Sequence, residues 1–268
     1  MNPDDLRARF RELHERGTFT MPNPHDVGAA RLFEVLGFPA LATTSGGFAM
    51  SLGRPDMTVQ RDELVDHVRA LTAAAELPLN VDAEQCFPHD EGGVARTVEL
   101  LADAGASGCS IEDWDPIEGR ITERTEAAEH VAIAAEAAHR AGVVLTARAE
   151  NHLRGVTDLD DTIGRLCVYR EAGADVLYAP LLVDLDEIGR VVTETAAPVN
   201  VLLLPGGPSV AQLAERGVRR VSIGGTLALA AYGALYRAAT RLHDEGVLGT
   251  DEPYLGRDVA KAAFRPPS

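Results

Sequence analysis

The stretch LNVDAEQCFPHDEGGVARTVELLADAGASGCSIEDWD, residues 79–115, decides the fold. It opens on the aliphatic run Leu79–Asp82, crosses a turn rich in Gly, Pro and Asp, and takes up helical periodicity over 93–104. It then breaks at Ala104-Gly105 and returns to a second run at Gly108–Glu112. Strand, helix and strand in this compass make a βαβ unit, the crossover that parallel strands require. Both strands end on an acid. Working outward, the same alternation predicts strands at 19–21, 40–44, 143–147, 176–178, 199–203 and 220–223. Helices are predicted near 25–36, 61–76, 123–141, 158–172, 184–195, 208–216 and 226–245, each apolar on one side. Eight strand–helix pairs with no linker between them predict a (β/α)8 TIM barrel in one domain, 1–268. Residues 1–18 form an N-terminal capping helix, 19–245 the barrel and 246–268 a C-terminal tail. Asp184 and Pro208-Ser209 stand where helices begin, and Gly37, Gly105, Gly142, Gly173 and Gly217 where they stop.

Composition narrows the function. The 268 residues hold 25 Lys+Arg against 41 Asp+Glu, a formal charge of −16. Such a surface repels phosphate backbones and anionic lipid, which argues against nucleic acid and membrane as partners. An anionic substrate would need a local positive charge, and a divalent metal supplies one. Cys86, Cys109 and Cys167 are too few and too scattered for a disulfide framework or a structural zinc site. The opening MNPDDLRARFRELHERG lacks an apolar segment behind a basic one, and no apolar run of about 20 residues occurs anywhere. A reducing, cytoplasmic setting is expected.

Barrel chemistry sits where strands end. After the first strand come Asn23 and Asp26; after the second, Ser45-Gly46-Gly47. The third gives Asp82 and Glu84, the fourth Glu112-Asp113, and the fifth Arg148 and Glu150-Asn151. Any one of these acids reads equally as a helix cap. As a set, Asp82, Glu84 and Glu112 on adjacent strands form a hard oxygen donor group suited to Mg²⁺, with Mn²⁺ as the substitute. His89, His130, His139 and His152 lack a zinc spacing. Arg148 reads either as a salt-bridge partner for the acids or as a two-pronged clamp on a substrate carboxylate. Ser45, Gly46 and Gly47 read as a plain turn or as backbone N–H donors to a ligand. Trp114 reads as a wall of the pocket or as a packing residue beside the short flap DWDPIEGR. The glycine turns at 205–208 and 224–225 occupy phosphate-site positions, yet contain no Lys or Arg.

These residues sit in segments that resemble the isocitrate lyase and phosphoenolpyruvate mutase superfamily. The matching pieces are MPNPHDVGAARLFEVLGFPALATTSGG, SLGRPD, NVDAE, SIEDWDP, LTARAEN, YREAGADVLYAP and NVLLLPGGPSVAQLAERGVRRVSIGG, within residues 10–245. The resemblance implies a Mg²⁺-dependent enzyme that makes or breaks a C–C or P–C bond beside an enolate of a small 2-oxo or 2-hydroxy carboxylate. It makes Asp82 the direct metal ligand, with Glu84 and Glu112 holding metal-bound waters. Ser45, Gly46 and Gly47 would bind the substrate carboxylate and 2-oxo group, Asp56 would border the site, and Arg148 would grip the substrate. It also implies a homo-oligomer, a dimer or tetramer with an exchanged C-terminal helix.

The chain departs from its better-known relatives. Where the lyases carry Lys-Lys-Cys-Gly-His it reads DAEQCFPHDEGG, and DWDPIEGR lacks the lysine and Asn-Ser pair of the mutase lid. Both absences argue against isocitrate cleavage and phosphonopyruvate formation. The expected activity is therefore a lyase of aldol, retro-Claisen or decarboxylating type, with Asp56, Glu150, Cys86 and His152 as candidate proton carriers. The alternatives are a hydrolase of a C–C or P–C bond, and a non-catalytic carboxylate-binding scaffold.

Overall fold

The structure, a computed structural model, describes residues 2–250 and 254–264, so the predicted tail at 251–253 and 265–268 lies outside the described residues. In chain order the strands are β1 (Phe19–Met21), β2 (Leu41–Ala42), β3 (Leu79–Asp82), β4 (Gly108–Glu112), β5 (Trp114–Asp115), β6 (Arg120–Ile121), β7 (Val144–Arg148), β8 (Val176–Tyr178), β9 (Val199–Leu202) and β10 (Arg220–Ser222). The helices are α1 (Pro3–Leu13), α2 (Val27–Val35), α3 (Ser45–Ser51), α4 (Arg61–Ala74), α5 (Gly93–Asp103), α6 (Arg124–Arg140), α7 (Leu159–Glu171), α8 (Leu185–Thr195), α9 (Val210–Glu215), α10 (Thr226–Glu245) and α11 (Arg257–Ala263). Eight strands form one parallel sheet in the order β1-β10-β9-β8-β7-β4-β3-β2. Its two ends meet where the Ala42 N–H donates to the Pro22 carbonyl at 3.0 Å. The predicted barrel is the observed one.

The punctuation also agrees. Gly37, Gly105, Gly142, Gly173 and Gly217 all take positive φ, the left-handed turn that ends a helix. Asp184 caps α8, and Ser209 opens α9 with a capping box. Two elements differ from expectation. Ser45-Gly46-Gly47 is the first turn of α3 rather than a loop, because the Thr44 side chain caps it by accepting the Gly47 N–H. The stretch DWDPIEGR closes on itself as the antiparallel pair β5–β6.

Most apolar burial lies between the strands and the surrounding helices. A second cluster, including Phe10, Phe19, Met21 and Val176, closes the N-terminal end of the barrel. Phe10 on α1 is wholly buried there and meets the rings of His14 and Phe19 edge-on. Gly108 permits this: a Cβ would stand 2.6 Å from Phe10 Cε1 and 2.7 Å from Asn80 Oδ1. Beyond α10 the chain turns back, and α11 packs on α2. No helix among the described residues is long and apolar enough to cross a membrane.

Removal of the Phe10 plug leaves a void that the closed barrel cannot collapse into. Phe10→Ala is expected to lower unfolding stability by about 3–5 kcal/mol, read by urea denaturation. A loss below about 1 kcal/mol would show that α1 does not belong to the core.

Candidate active site

Strand register brings the polar residues together. Asp82 pairs with Ser110 across β3–β4, Glu112 with Arg148 across β4–β7, and Arg148 with Tyr178 across β7–β8. The Arg148 guanidinium therefore lies at the centre of the acids. It reaches Asp82 Oδ1 at 2.5 Å, Glu112 Oε2 at 3.0 Å and Glu150 Oε1 at 3.0 Å. The Tyr178 ring flanks it, with 5.4 Å from the guanidinium carbon to the ring centroid. Both sequence readings of Arg148 bear on the same atoms, and the structure shows the salt-bridge one.

A cavity of about 480 Å³ runs from the mouth into the barrel beside this cluster. Asn23, Ser45, Gly46, Asp56, Asp82 and Arg148 line it. The Ser45 N–H donates to Asp82 Oδ2 at 3.0 Å, and Asp82's own N–H is held by Thr43 Oγ1 at 2.7 Å. Asp56 lies against Gly46, whose added Cβ would stand 3.2 Å from its carboxylate. Asn23 stitches the barrel seam: it donates to the Thr43 carbonyl and accepts from the N–H groups of Ile223 and Gly224.

Other expected site residues lie elsewhere. Asp26 caps α2 by accepting the Ala29 N–H at 2.7 Å. Gly47 faces Thr44, where a Cβ would come within 2.4 Å of Cγ2. Trp114 stacks beneath Arg154, with 3.8 Å to the ring centroid, which ties the β5–β6 flap to the turn after β7. The Cys86 thiol is buried and faces the Ser110 carbonyl at 3.6 Å; burial pushes it well above its usual range, so it stays protonated. His89 lines a separate cavity of about 40 Å³ behind Glu112. His152 begins a short helical turn, and its Nε2 is buried without a partner.

The acids outnumber their one cation. Burial, then the charges of Asp82 and Asp56, pushes Glu84 up to about 8. Burial likewise raises Glu112 and Glu150, and Glu150 Oε2 has no partner. Glu84 also sits on strained backbone, with positive φ at Glu84, Cys86 and Phe87. Hard oxygen donors with surplus negative charge fit a divalent cation such as Mg²⁺. Among the described residues no three candidate ligands converge on one point.

Sequence reasoning missed a supporting layer. Asp113 accepts the Glu150 N–H at 2.8 Å and the Tyr169 hydroxyl at 2.6 Å, and pairs with Arg165 at 3.2 Å. Arg165 also bridges to Asp161, whose other contacts include Asn151 and Arg124. Asp161, Arg165 and Tyr169 recur every four residues along α7, one face of a helix, and that spacing was the available signal.

A closed parallel barrel with an arginine and carboxylates beside a cavity at the strand ends has its polar groups where barrel enzymes carry their active sites. Comparison with known proteins makes the class specific. The family model for phosphoenolpyruvate phosphomutase matches residues 10–243, and the chain belongs to that family. It is an enzyme of the isocitrate lyase/phosphoenolpyruvate mutase superfamily, and its curated relatives include lyases. It is 47% identical to a crystal structure from Burkholderia cenocepacia J2315 that carries a provisional lyase/mutase label, covering 98% of this chain and 97% of that one with a TM-score of 0.93. An uncharacterized protein of Mycobacterium tuberculosis H37Rv is 34% identical over 91% of this chain and 93% of its own. An oxaloacetate decarboxylase of Bradyrhizobium sp. ORS 278 is 30% identical over 82% and 78%. The barrel is also that of a phosphonopyruvate hydrolase solved with oxalate and Mg²⁺, at 23% identity, 98% and 95% coverage and a TM-score of 0.82.

Glu84 makes stability depend on pH. Its raised folded-state value means that the folded protein keeps a proton the unfolded chain releases, so stability is full below 4.5 and falls as pH rises toward about 8. In EDTA-treated protein, Glu84→Gln is expected to flatten that fall, measured by urea unfolding across the window. Equal slopes in both proteins would refute the assignment.

Proposed function

We propose that this protein is a Mg²⁺-dependent carbon–carbon lyase that cleaves a small 2-oxo or 2-hydroxy carboxylate through an enolate. The observation that carries the reading is the cluster of Asp82, Glu84, Glu112 and Glu150 around Arg148 beside the mouth cavity. Membership of the family and the named lyase relatives support it.

Asp82 would hold the metal directly, while Glu84 and Glu112 would accept hydrogen bonds from its waters. When bound, Mg²⁺ supplies a positive charge that stabilises the oxygen of the developing enolate. Mn²⁺ would serve the same donors.

The protein's own groups supply the rest. Arg148 would fix the substrate carboxylate by exchanging one of its three acids for it, and Asp82, the acid that would hold the metal, is the one to be exchanged. Ser45 and Gly46 border the same space and orient the head of the substrate. Cleavage of a 2-hydroxy acid gives the hydroxyl proton to a base as that oxygen becomes a carbonyl, whereas loss of carbon dioxide from a 2-oxo acid needs no such transfer; in both, the electron pair of the broken C–C bond passes to the enolate, which then takes up a proton. Asp56 lines the cavity and is the proton carrier best placed for this. Glu150 supports Arg148 from behind. Trp114 closes the flap side without touching the substrate, and Cys86 holds the loop after β3 in place.

Titration of EDTA-treated protein with oxalate, with and without Mg²⁺ or Mn²⁺, tests this directly. Oxalate is expected to bind only with metal, and Asp82→Ala to weaken it by at least about tenfold. Oxalate binding that ignores the metal, or survives intact in a folded Asp82→Ala protein, would overturn the proposal.

A further inference from the structure

The floor of the same cavity holds a second guanidinium that the reaction has not used. Arg220 opens β10, points into the barrel and is 1% exposed, yet it lines the cavity that reaches Asp82 and Arg148. Its hydrogen-bond partners are all neutral. Nε donates to Asn200 Oδ1 at 2.9 Å, Nη2 to Thr146 Oγ1 at 2.8 Å, and Nη1 lies 3.4 Å from His14 Nε2. His14 cannot be an anion, and it is not a competing cation either. Its Nδ1 sits 2.8 Å from the Phe10 carbonyl and so carries the ring proton, which leaves Nε2 as acceptor. Burial, helped by Arg220, holds the ring down to about 3 and therefore neutral.

Among the described residues no carboxylate pairs with Arg220, and burial alone pulls it down to about 9. Arg148 and Arg165, by contrast, are each held by at least two acids. Burying a cation without a counter-ion is costly, and such a group persists where something else supplies the charge. A guanidinium has five N–H donors, and three go to the contacts above. The surroundings are polar where a barrel interior is ordinarily filled by Val, Ile and Leu. Asn80, Ser110, Asn200 and Ser222 line this floor, and Asn80 Oδ1 is buried with no partner.

We propose that Arg220 is the specificity-determining residue of the cavity floor, and that it receives the far carboxylate of a 2-oxo or 2-hydroxy dicarboxylate whose head lies at Arg148. The inference rests on the proposed function for where the head binds. Arg148 ends β7 whereas Arg220 begins β10, and register joins them in one row: Arg148 is opposite Tyr178, Tyr178 opposite Asn200, and Asn200 opposite Arg220. Because barrel strands tilt by about 36° to the axis, a row that crosses three strands descends along it, and the two guanidiniums lie at different depths. The substrate thus lies along the barrel with a cation at each end. An acid ending in a methyl group would leave Arg220 buried and unpaired, which is how a polar floor rejects the wrong ligand.

Equal-length pairs test this by calorimetry in saturating Mg²⁺: 2-hydroxysuccinate against 2-hydroxybutyrate, and 2-hydroxyglutarate against 2-hydroxyvalerate. The wild-type protein is expected to favour the diacid of at least one pair by about tenfold or more. In Arg220→Met the ratio should fall to about one, and in Arg220→Lys part of it should remain. The ratio is the readout, so a general loss of affinity or packing cancels. No preference for either diacid in the wild-type protein overturns the proposal even if Arg220→Met fails to fold. So does a preference that survives in a folded Arg220→Met protein. Failure of oxalate to bind the wild-type protein with metal would instead count against the lyase reading.

Discussion

The arrangement at the strand ends depends on one guanidinium. Arg148 is 12% exposed at its side chain and is shared by three carboxylates from three different segments of the chain. Without it, Glu112 and Glu150 would be buried acids with no ion-pair partner, a state that is resolved by protonation or by local opening. With it, the cluster still holds more acids than cations, and burial with the charges of Asp82 and Asp56 pushes Glu84 up to about 8. That residual imbalance is one that added positive charge would relieve.

Rigidity behind Arg148 comes from a second tier. Asp113 ties the Glu150 backbone to Tyr169 and Arg165, so the carboxylate nearest Arg148 is held by α7 as well as by the strands. Buried networks of this kind are stabilising only when nearly every member is satisfied. Here two atoms go without a partner: Glu150 Oε2, on the carboxylate that pairs with Arg148, and Asn151 Oδ1, in the supporting tier. The barrel interior follows a similar logic. Its lower end is closed by Phe10 and its apolar neighbours, whereas the space above is lined by amides, hydroxyls and Arg220.

Much of this was legible in the residues because it is local. Strand and helix positions follow from periodicity, and the left-handed glycines mark helix ends because few other residues tolerate positive φ. The acids were identifiable because barrel chemistry gathers where strands end. Local reading also misled. Ser45-Gly46-Gly47 looks like an open turn until Thr44 supplies a cap. Asp26 looks like a mouth residue, yet its own chain three residues on satisfies it. Arg220 reads as an ordinary strand residue, since the sign that marks it, the lack of any acid nearby, exists only in three dimensions.

The sequence by itself determined the barrel and which acids stand at its strand ends, because hydrophobic period and turn residues act over a few positions. Tertiary structure alone decided which of those groups meet. The sequence left Arg148 free to pair with any of several acids, and strand register with loop packing set it against Asp82, Glu112 and Glu150. Contacts between residues 82 and 148, or between 14 and 220, are long-range pairings that barrel closure creates and no local pattern encodes.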